Sequence, residues 1–205
     1  MISIVDYGLG NTLAFANTYK RLNIDASICT SPKQLSDANK IILPGVGSFD
    51  WAMARLNESG LRDVLDELVL KKKVPVIGIC IGMQMMANRS EEGVTDGLGW
   101  IDGDVKRFDV SKLTQATHLP HMGWNDVIPE KEDPLFTGLE QDARFYFLHS
   151  YYFAHNNDEQ ILAQSDYGYK FTSAAHRENI YGVQFHPEKS HHWGIRLLKN
   201  FAELC

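Results

Sequence analysis

Val74-Pro75-Val76-Ile77-Gly78-Ile79-Cys80-Ile81-Gly82-Met83-Gln84-Met85-Met86 is an apolar, β-type run that breaks at a cysteine set between glycines and resumes with a helical pattern. The spacing Gly78-x-Cys80-x-Gly82 is that of a nucleophile elbow. A sharp strand-to-helix turn exposes the nucleophile at the carboxyl end of the strand, and the glycines leave room for the backbone to pass closely. At the helix N-terminus the partial positive charge favours thiolate over thiol, and the Ile81 N–H is placed to serve as one donor of an oxyanion hole. A cysteine that only ended a buried strand would need neither glycine. A nucleophile, however, requires a base, and the rest of the chain has to supply it.

That base stands near the other end of the chain, in Gly182-Val183-Gln184-Phe185-His186-Pro187-Glu188-Lys189-Ser190. Pro187 disfavours helix at His186 and fixes its own φ, so the segment reads as extended, with His186 and Glu188 projecting to the same side. A carboxylate so placed orients the imidazole. Cys80, His186 and Glu188 then compose a cysteine version of the catalytic triad, in which the acid sets the tautomer and the histidine takes the thiol proton and later protonates the leaving amine. His191 and His192 continue the run as surface residues, since no third ligand is spaced to complete a metal site.

Outward from these two motifs, the chain alternates strands and helices. Ile2–Val5 is a β-branched run ending in the glycine-punctuated turn Asp6-Tyr7-Gly8-Leu9-Gly10-Asn11, after which Thr12 caps a helix to about Leu22. The third glycine of a dinucleotide fingerprint is absent, which argues against a nucleotide cradle here. Strands follow at 26–30 and 40–43, with a short helix at 32–38 between them. The third strand runs into Pro44-Gly45-Val46-Gly47, a glycine loop at a strand's carboxyl end, where open α/β sheets place ligands and where backbone N–H groups can furnish the second half of an oxyanion hole. Helical patterns at 50–57 and 61–70 deliver the chain to the Cys80 strand. Together these predict a doubly wound, mostly parallel sheet with flanking helices. Beyond a polar loop at 90–97 the pattern turns to alternating strands, at 100–108, 143–147, 160–164, 171–175 and 180–185, consistent with a sheet finishing in antiparallel pairs, and a helix over 193–204 closes the chain. Pro120-His121-Met122-Gly123-Trp124-Asn125 shows no periodicity that would bury its aromatic and reads as a loop.

The 205 residues, 44% of them hydrophobic, suffice for a full core and are expected to form a single domain over 1–205. A formal net charge of −6 argues against nucleic acid or an anionic membrane as the main partner. The N-terminus lacks the features of a signal peptide and no apolar run is long enough to span a bilayer, so the expected location is cytoplasmic. The three cysteines, Cys29, Cys80 and Cys205, show neither CxxC nor metal-ligand spacing. No metal and no cofactor is expected.

The residues quoted also carry a family resemblance. Gly-Ile-Cys-Ile-Gly-Met-Gln at 78–84 and Gly-Val-Gln-Phe-His-Pro-Glu at 182–188 resemble the paired signatures of the class I (triad-type) glutamine amidotransferases, which hydrolyse glutamine and pass ammonia to a synthase partner. Asp6–Asn11, Pro44–Gly47, Pro120–Asn125, His149-Ser150-Tyr151-Tyr152, Glu188-Lys189-Ser190 and Leu197-Leu198-Lys199-Asn200-Phe201 extend the likeness, over essentially the whole chain, to the glutaminase subunits of imidazole glycerol phosphate synthase. The resemblance implies that Cys80 is the nucleophile, His186 the base and acid, and Glu188 its orienter, with Gly45, Val46 and Gly47 completing an oxyanion hole with Ile81. It further implies that Gln84, Glu92, His149, Ser150 and Tyr151 grip the α-amino and α-carboxylate groups of glutamine. Trp124 and Lys189 would face the partner, a (β/α)8-barrel cyclase with which the chain forms a heterodimer. Thr12-Leu13-Ala14-Phe15 and His191-His192-Trp193 depart from that pattern, the latter looking more like paralogues that feed ammonia to a sugar amidotransferase of surface polysaccharides. The departures concern the acceptor and leave the triad untouched.

Two other readings remain on residues alone. A cysteine peptidase on a similar elbow fold would need an open groove on both sides of the scissile bond. A scaffold that has lost its chemistry would not be expected to keep Cys80, His186 and Glu188 together.

Overall fold

A computed structural model describes residues 1–113 and 118–205. The first half alternates strands β1 (Ile2–Val5), β2 (Ala26–Cys29), β3 (Lys40–Gly45) and β4 (Val76–Cys80) with helices α1 (Thr12–Arg21), α2 (Pro32–Leu35), α3 (Phe49–Glu58) and α4 (Arg62–Asp66). After β4 come α5 (Ile81–Gln84), β5 (Arg89–Ser90), β6 (Gly103–Arg107), β7 (His121–Asp126), β8 (Ile128–Pro129), β9 (Arg144–His149), β10 (Tyr151–His155), β11 (Ile161–Asp166), β12 (Lys170–Arg177), β13 (Ile180–Val183) and α6 (His191–Leu204).

Among the described residues eleven strands join in one sheet, whose main path runs β2-β1-β3-β4-β13-β12-β10-β6-β5. The members β2, β1, β3, β4 and β13 pair in parallel, and β13 then pairs antiparallel with β12, which opens the antiparallel half. This is the mixed, doubly wound sheet with flanking helices that the alternation predicts. The decisive placement is central. β4 lies between β3 and β13, with Gly45 opposite Cys80 and Val183 opposite Ile79, so three neighbouring strands end together on one side of the sheet. Carboxyl ends of parallel strands are where such sheets bind ligands.

Why these residues fold this way is local chemistry. The strands β1, β3 and β4 are buried on both faces and therefore read as continuous apolar runs. Helix α1 is capped one residue earlier than expected: the Asn11 side chain, not Thr12, accepts from Ala14 N at 3.2 Å. The single helix expected over 61–70 is α4 followed by a π-helical turn, Glu67–Lys71. Neighbouring side chains hold that turn, since Asn179 Nδ2 donates to Val69 O and Val74 O, and Trp100 Nε1 donates to Asp66 Oδ1 at 2.7 Å. The segment expected as a loop at 120–125 is a strand: β7 pairs antiparallel with β9, placing His121 opposite His149 and Trp124 opposite Tyr146. Its pairing partner lies far along the sequence, and Gly123, at φ +124°, interrupts the alternation that would have revealed it. No described helix is long and apolar enough to cross a membrane.

Candidate active site

The elbow is real in its backbone. Cys80 ends β4 at φ +55°, ψ −112°, a conformation that costs a residue with a side chain roughly 1–3 kcal/mol. Gly78 and Gly82 make it possible. A Cβ on Gly82 would lie 1.9 Å from Leu43 O and push the turn off β3, and one on Gly78 would lie 2.6 Å from Gly82 O and push the turn off its own strand. The helix that follows is shorter than predicted, a single turn, Ile81–Gln84, that gives way to tight turns through Ala87. Its dipole is correspondingly small, so activation of Cys80 falls to the side chains around it.

Those side chains come from the segment that follows β13. His186 is fixed by its N–H, which donates to Tyr146 O at 2.8 Å. Its Nδ1–H donates to Glu188 Oε1 at 2.9 Å, with both side chains 4% exposed. The histidine–acid pair thus forms as the spacing predicts, although through a 3-10 turn at Pro187–Lys189 rather than an extended segment. Protonation at Nδ1 leaves Nε2 as the proton acceptor. Burial opposes charging of this imidazole, but Cys80 and Glu188 outweigh it and raise its pKa to about 10. Such a value describes a histidine that takes a proton readily when a negative sulfur stands beside it.

Cys80 and His186 line one cavity of about 290 Å³, together with Val46, Gly47, Ile81, Gln84, Glu92, His149, Ser150, Tyr151 and Lys189. Of the residues expected there, Gly45 does not line it. Gly45 is the last residue of β3, buried against the elbow, where a Cβ would lie 2.6 Å from Gly82 N, so its service is close packing. Gly47, at φ +91°, supplies the turn that brings the loop to the cavity wall. Behind it, the buried Tyr7 hydroxyl donates to Pro44 O at 2.7 Å and ties the loop to β1.

His149 lines the cavity but offers no free ring nitrogen. Its Nδ1–H donates to Tyr151 O at 2.7 Å, so Nε2 accepts from His121 Nδ1 at 2.9 Å. His121 Nε2 in turn accepts from Asn125 Nδ2 at 3.2 Å. Burial pushes His121 down to about 4, and burial together with His121 pushes His149 down to about 3, so the pair is neutral at physiological pH. The His149 ring thus holds the backbone of Tyr151.

Glu92 is held by a reciprocal clamp that the sequence did not announce. Its Oε2 accepts from Phe49 N, at the start of α3, at 2.8 Å, while Asp50 accepts from Val94 N and Thr95 N. These bonds hold the Asp50 carboxyl below its usual range. Gln184, also overlooked, is fully buried beside Cys80. A polar residue at an inward position of an apolar strand was the available signal.

Trp124 is partly exposed and stacks on His191 at 5.3 Å, and Lys189 Nζ lies 5.8 Å from the centre of the Tyr146 ring. The two residues expected at a partner interface thus share one face beside the cavity mouth, flanked by exposed Met122 and Leu148. Among the described residues no cluster of His, Cys, Asp and Glu has the arrangement of a metal site.

Comparison with known proteins agrees with this geometry. The family model described as "Glutamine amidotransferase class-I" matches residues 3–204. A protein of Bdellovibrio bacteriovorus named imidazole glycerol phosphate synthase subunit HisH is 58% identical over 204 residues, covering 100% of both chains. The protein of that name in Leptospira interrogans is 52% identical, again over 100% of both. Among solved structures, a putative GMP synthase subunit from Thermoplasma acidophilum superposes with a TM-score of 0.72 at 21% identity, covering 98% of this chain and 91% of that one. PurLQS from Thermotoga maritima gives a TM-score of 0.72 at 17% identity, with 98% and 96% covered. The two structures speak to the fold.

Proposed function

The chain belongs to the class-I glutamine amidotransferase family, and on that premise we propose that it is the glutaminase subunit of an imidazole glycerol phosphate synthase. As a single cytoplasmic domain it hydrolyses glutamine to glutamate and ammonia, then passes the ammonia to a (β/α)8-barrel cyclase subunit, its partner in a heterodimer of histidine biosynthesis. The observation that carries the chemistry is the convergence of Cys80 with the His186–Glu188 pair at the ends of adjacent strands.

In the proposed reaction His186 Nε2 takes the Cys80 proton as Sγ bonds to the side-chain amide carbon of glutamine. The oxyanion is met by the Ile81 N–H and by N–H groups of the Val46–Gly47 loop. The tetrahedral adduct collapses by breaking its C–N bond, and the imidazolium gives its proton to the departing nitrogen, which leaves as ammonia. Water, deprotonated by the same imidazole, attacks the thioester and returns the thiol and glutamate. Glu188 keeps Nδ1 protonated throughout. At the other end of the cavity Glu92 and Gln84 Oε1 accept from the substrate α-ammonium, while Ser150 and Tyr151 face its α-carboxylate. A space of about 290 Å³ holds one amino acid, which favours free glutamine over the peptide substrates of a peptidase.

The acceptor is the cyclase because the relatives above bear the name of that synthase. None of those relatives is named as the partner of a sugar amidotransferase, so that alternative rests on His191-His192-Trp193 alone. The deciding experiment measures glutamine turnover by the chain alone, with the cyclase and its substrate, and with a sugar amidotransferase. Slow turnover that rises with the cyclase, together with glutamine-dependent cyclised product, is expected, since loop N–H groups that must turn into the oxyanion hole would be shifted by docking. Equal, full turnover in all three would mean that the hole needs no partner, and product only with the sugar enzyme would reassign the acceptor.

A further inference from the structure

Beneath the cavity runs a chain of amides whose direction is fixed by its far end. The Tyr151 carbonyl can only accept. It takes the Nδ1–H of His149 at 2.7 Å and a bond from Gln84 Nε2 at 3.2 Å, so Gln84 must turn its amino group toward it. The second hydrogen of that amino group goes to Gln184 Oε1 at 2.9 Å. With its oxygen thus committed, Gln184 can present only its own amino group to the remaining neighbour, and Nε2 lies 3.7 Å from Cys80 Sγ. Flipping Gln84 alone would set its oxygen against those of Tyr151 and Gln184, and flipping Gln184 alone would set amino group against amino group. The polarity that begins at a backbone carbonyl therefore ends as an N–H directed at the sulfur.

Burial gives that donor weight. Gln184 is 0% exposed and Gln84 1% exposed, so the sulfur is reached by this N–H in a place that water does not share. The helix dipole available to Cys80 is a single turn long. Gln184 is also anchored by its backbone, whose N–H donates to Ser173 O at 2.9 Å, and it stands two residues before His186 on the same run of chain.

We propose that Gln184 is a further functional residue of this site, whose side-chain N–H stabilises the Cys80 thiolate and whose orientation is set by Gln84 and the Tyr151 carbonyl. The role rests on the reading of Cys80 as the nucleophile. It also makes Gln84 serve two ends, since the Nε2 that orients Gln184 leaves Oε1, buried without a partner among the described residues, for the substrate.

The test uses the full chain with its cyclase and the nearly isosteric variants Gln184→Met and Gln184→Glu. Gln184→Met is expected to lower kcat for glutamine about tenfold, the scale of one hydrogen bond, with little change in KM. The pH midpoint of Cys80 alkylation by iodoacetamide should rise. Gln184→Glu, which replaces the donor by a negative charge, should raise that midpoint further. A folded Gln184→Met protein with wild-type kcat and an unchanged alkylation profile overturns the proposal, and so does a loss confined to KM. If neither variant folds, the wild-type protein decides: the assigned Gln184 side-chain amide resonances should titrate with the Cys80 thiol, and their failure to move overturns the proposal. Alkylation and resonance shifts report on the thiol whether or not glutamine is the substrate. Failure of the glutaminase reading would appear instead as absent turnover in the wild type.

Discussion

Cys80 is held in a conformation that suits glycine, and that strain separates function from stability. Cys80→Ala should abolish glutamine turnover while the protein still folds; turnover within tenfold of wild type would remove Cys80 from the mechanism. Cys80→Gly should be equally inactive but more stable to heat, by about 1–2 kcal/mol, because the unusual φ and ψ are then relieved. His186→Ala should be nearly as damaging as loss of the cysteine, since the two act as one unit, and Glu188→Gln milder, leaving a badly oriented base. The buried histidines give a second, independent test. Above their ordinary value of 6.5, His121 and His149 are neutral in folded and unfolded chains alike. Below it the unfolded chain takes up protons that the folded chain refuses until about 4 and about 3, so their contribution to stability is present above 6.5 and is lost on acidification. Urea unfolding at pH 7 and pH 4.5 should show this loss, and His121→Gln should flatten it; an unchanged slope would mean the imidazoles are charged when folded. The placement of Cys80 at the end of β4 and the pairing of His186 with Glu188 were legible in the sequence because two short motifs fix their local geometry. The His121–His149 pair and the Gln84–Gln184 amides were not, because each joins segments that only the sheet brings together.

At the scale of elements, the clamp between the start of α3 and the 92–95 loop is what places Glu92 on the cavity wall. Asp50→Ala removes the acceptor for Val94 N and Thr95 N, and is expected to raise KM for glutamine about tenfold with a smaller effect on kcat. A fall in kcat at constant KM would show that the loop serves the chemistry and not substrate binding. Gly93 belongs to the same clamp, since a Cβ there would stand 1.9 Å from Asp50 Oδ1. The parallel core was readable because strands buried on both faces carry unbroken apolar runs, as in Lys40–Gly45 and Val76–Cys80. β7 was not, because it is exposed at Met122 and Trp124, buried at His121, and broken by Gly123. The short reach of α5 was hidden as well: Gly-Met-Gln-Met-Met has helical propensity, but the backbone N–H groups of Leu98, Trp100 and Ile101 take the carbonyls of Met85 and Met86 and pull the chain out of helix.

For the whole molecule, the cavity opens beside one face that carries Trp124, Lys189, Met122 and Leu148. Ammonia released into water would be protonated and lost, so a glutaminase that feeds a synthase needs that face sealed by its partner. Trp124→Ala and Lys189→Ala should therefore leave the melting of the free chain nearly unchanged and weaken association with the cyclase. The tryptophan should cost on the order of 2 kcal/mol, as a large anchor at an interface centre does. In the complex, glutamine consumption should then outrun product formation; variants that bind and transfer ammonia as well as wild type would place the interface elsewhere. Whether this chain works on glutamine through one of its three cysteines is decided by treating the intact complex with a diazoketone analogue of glutamine and mapping the adduct by mass spectrometry. One adduct is expected, on Cys80, that free glutamine prevents and that stops turnover. An adduct on Cys29 or Cys205 with Cys80 unmodified, or undiminished turnover after Cys80 is fully modified, would contradict the assignment of Cys80 as nucleophile.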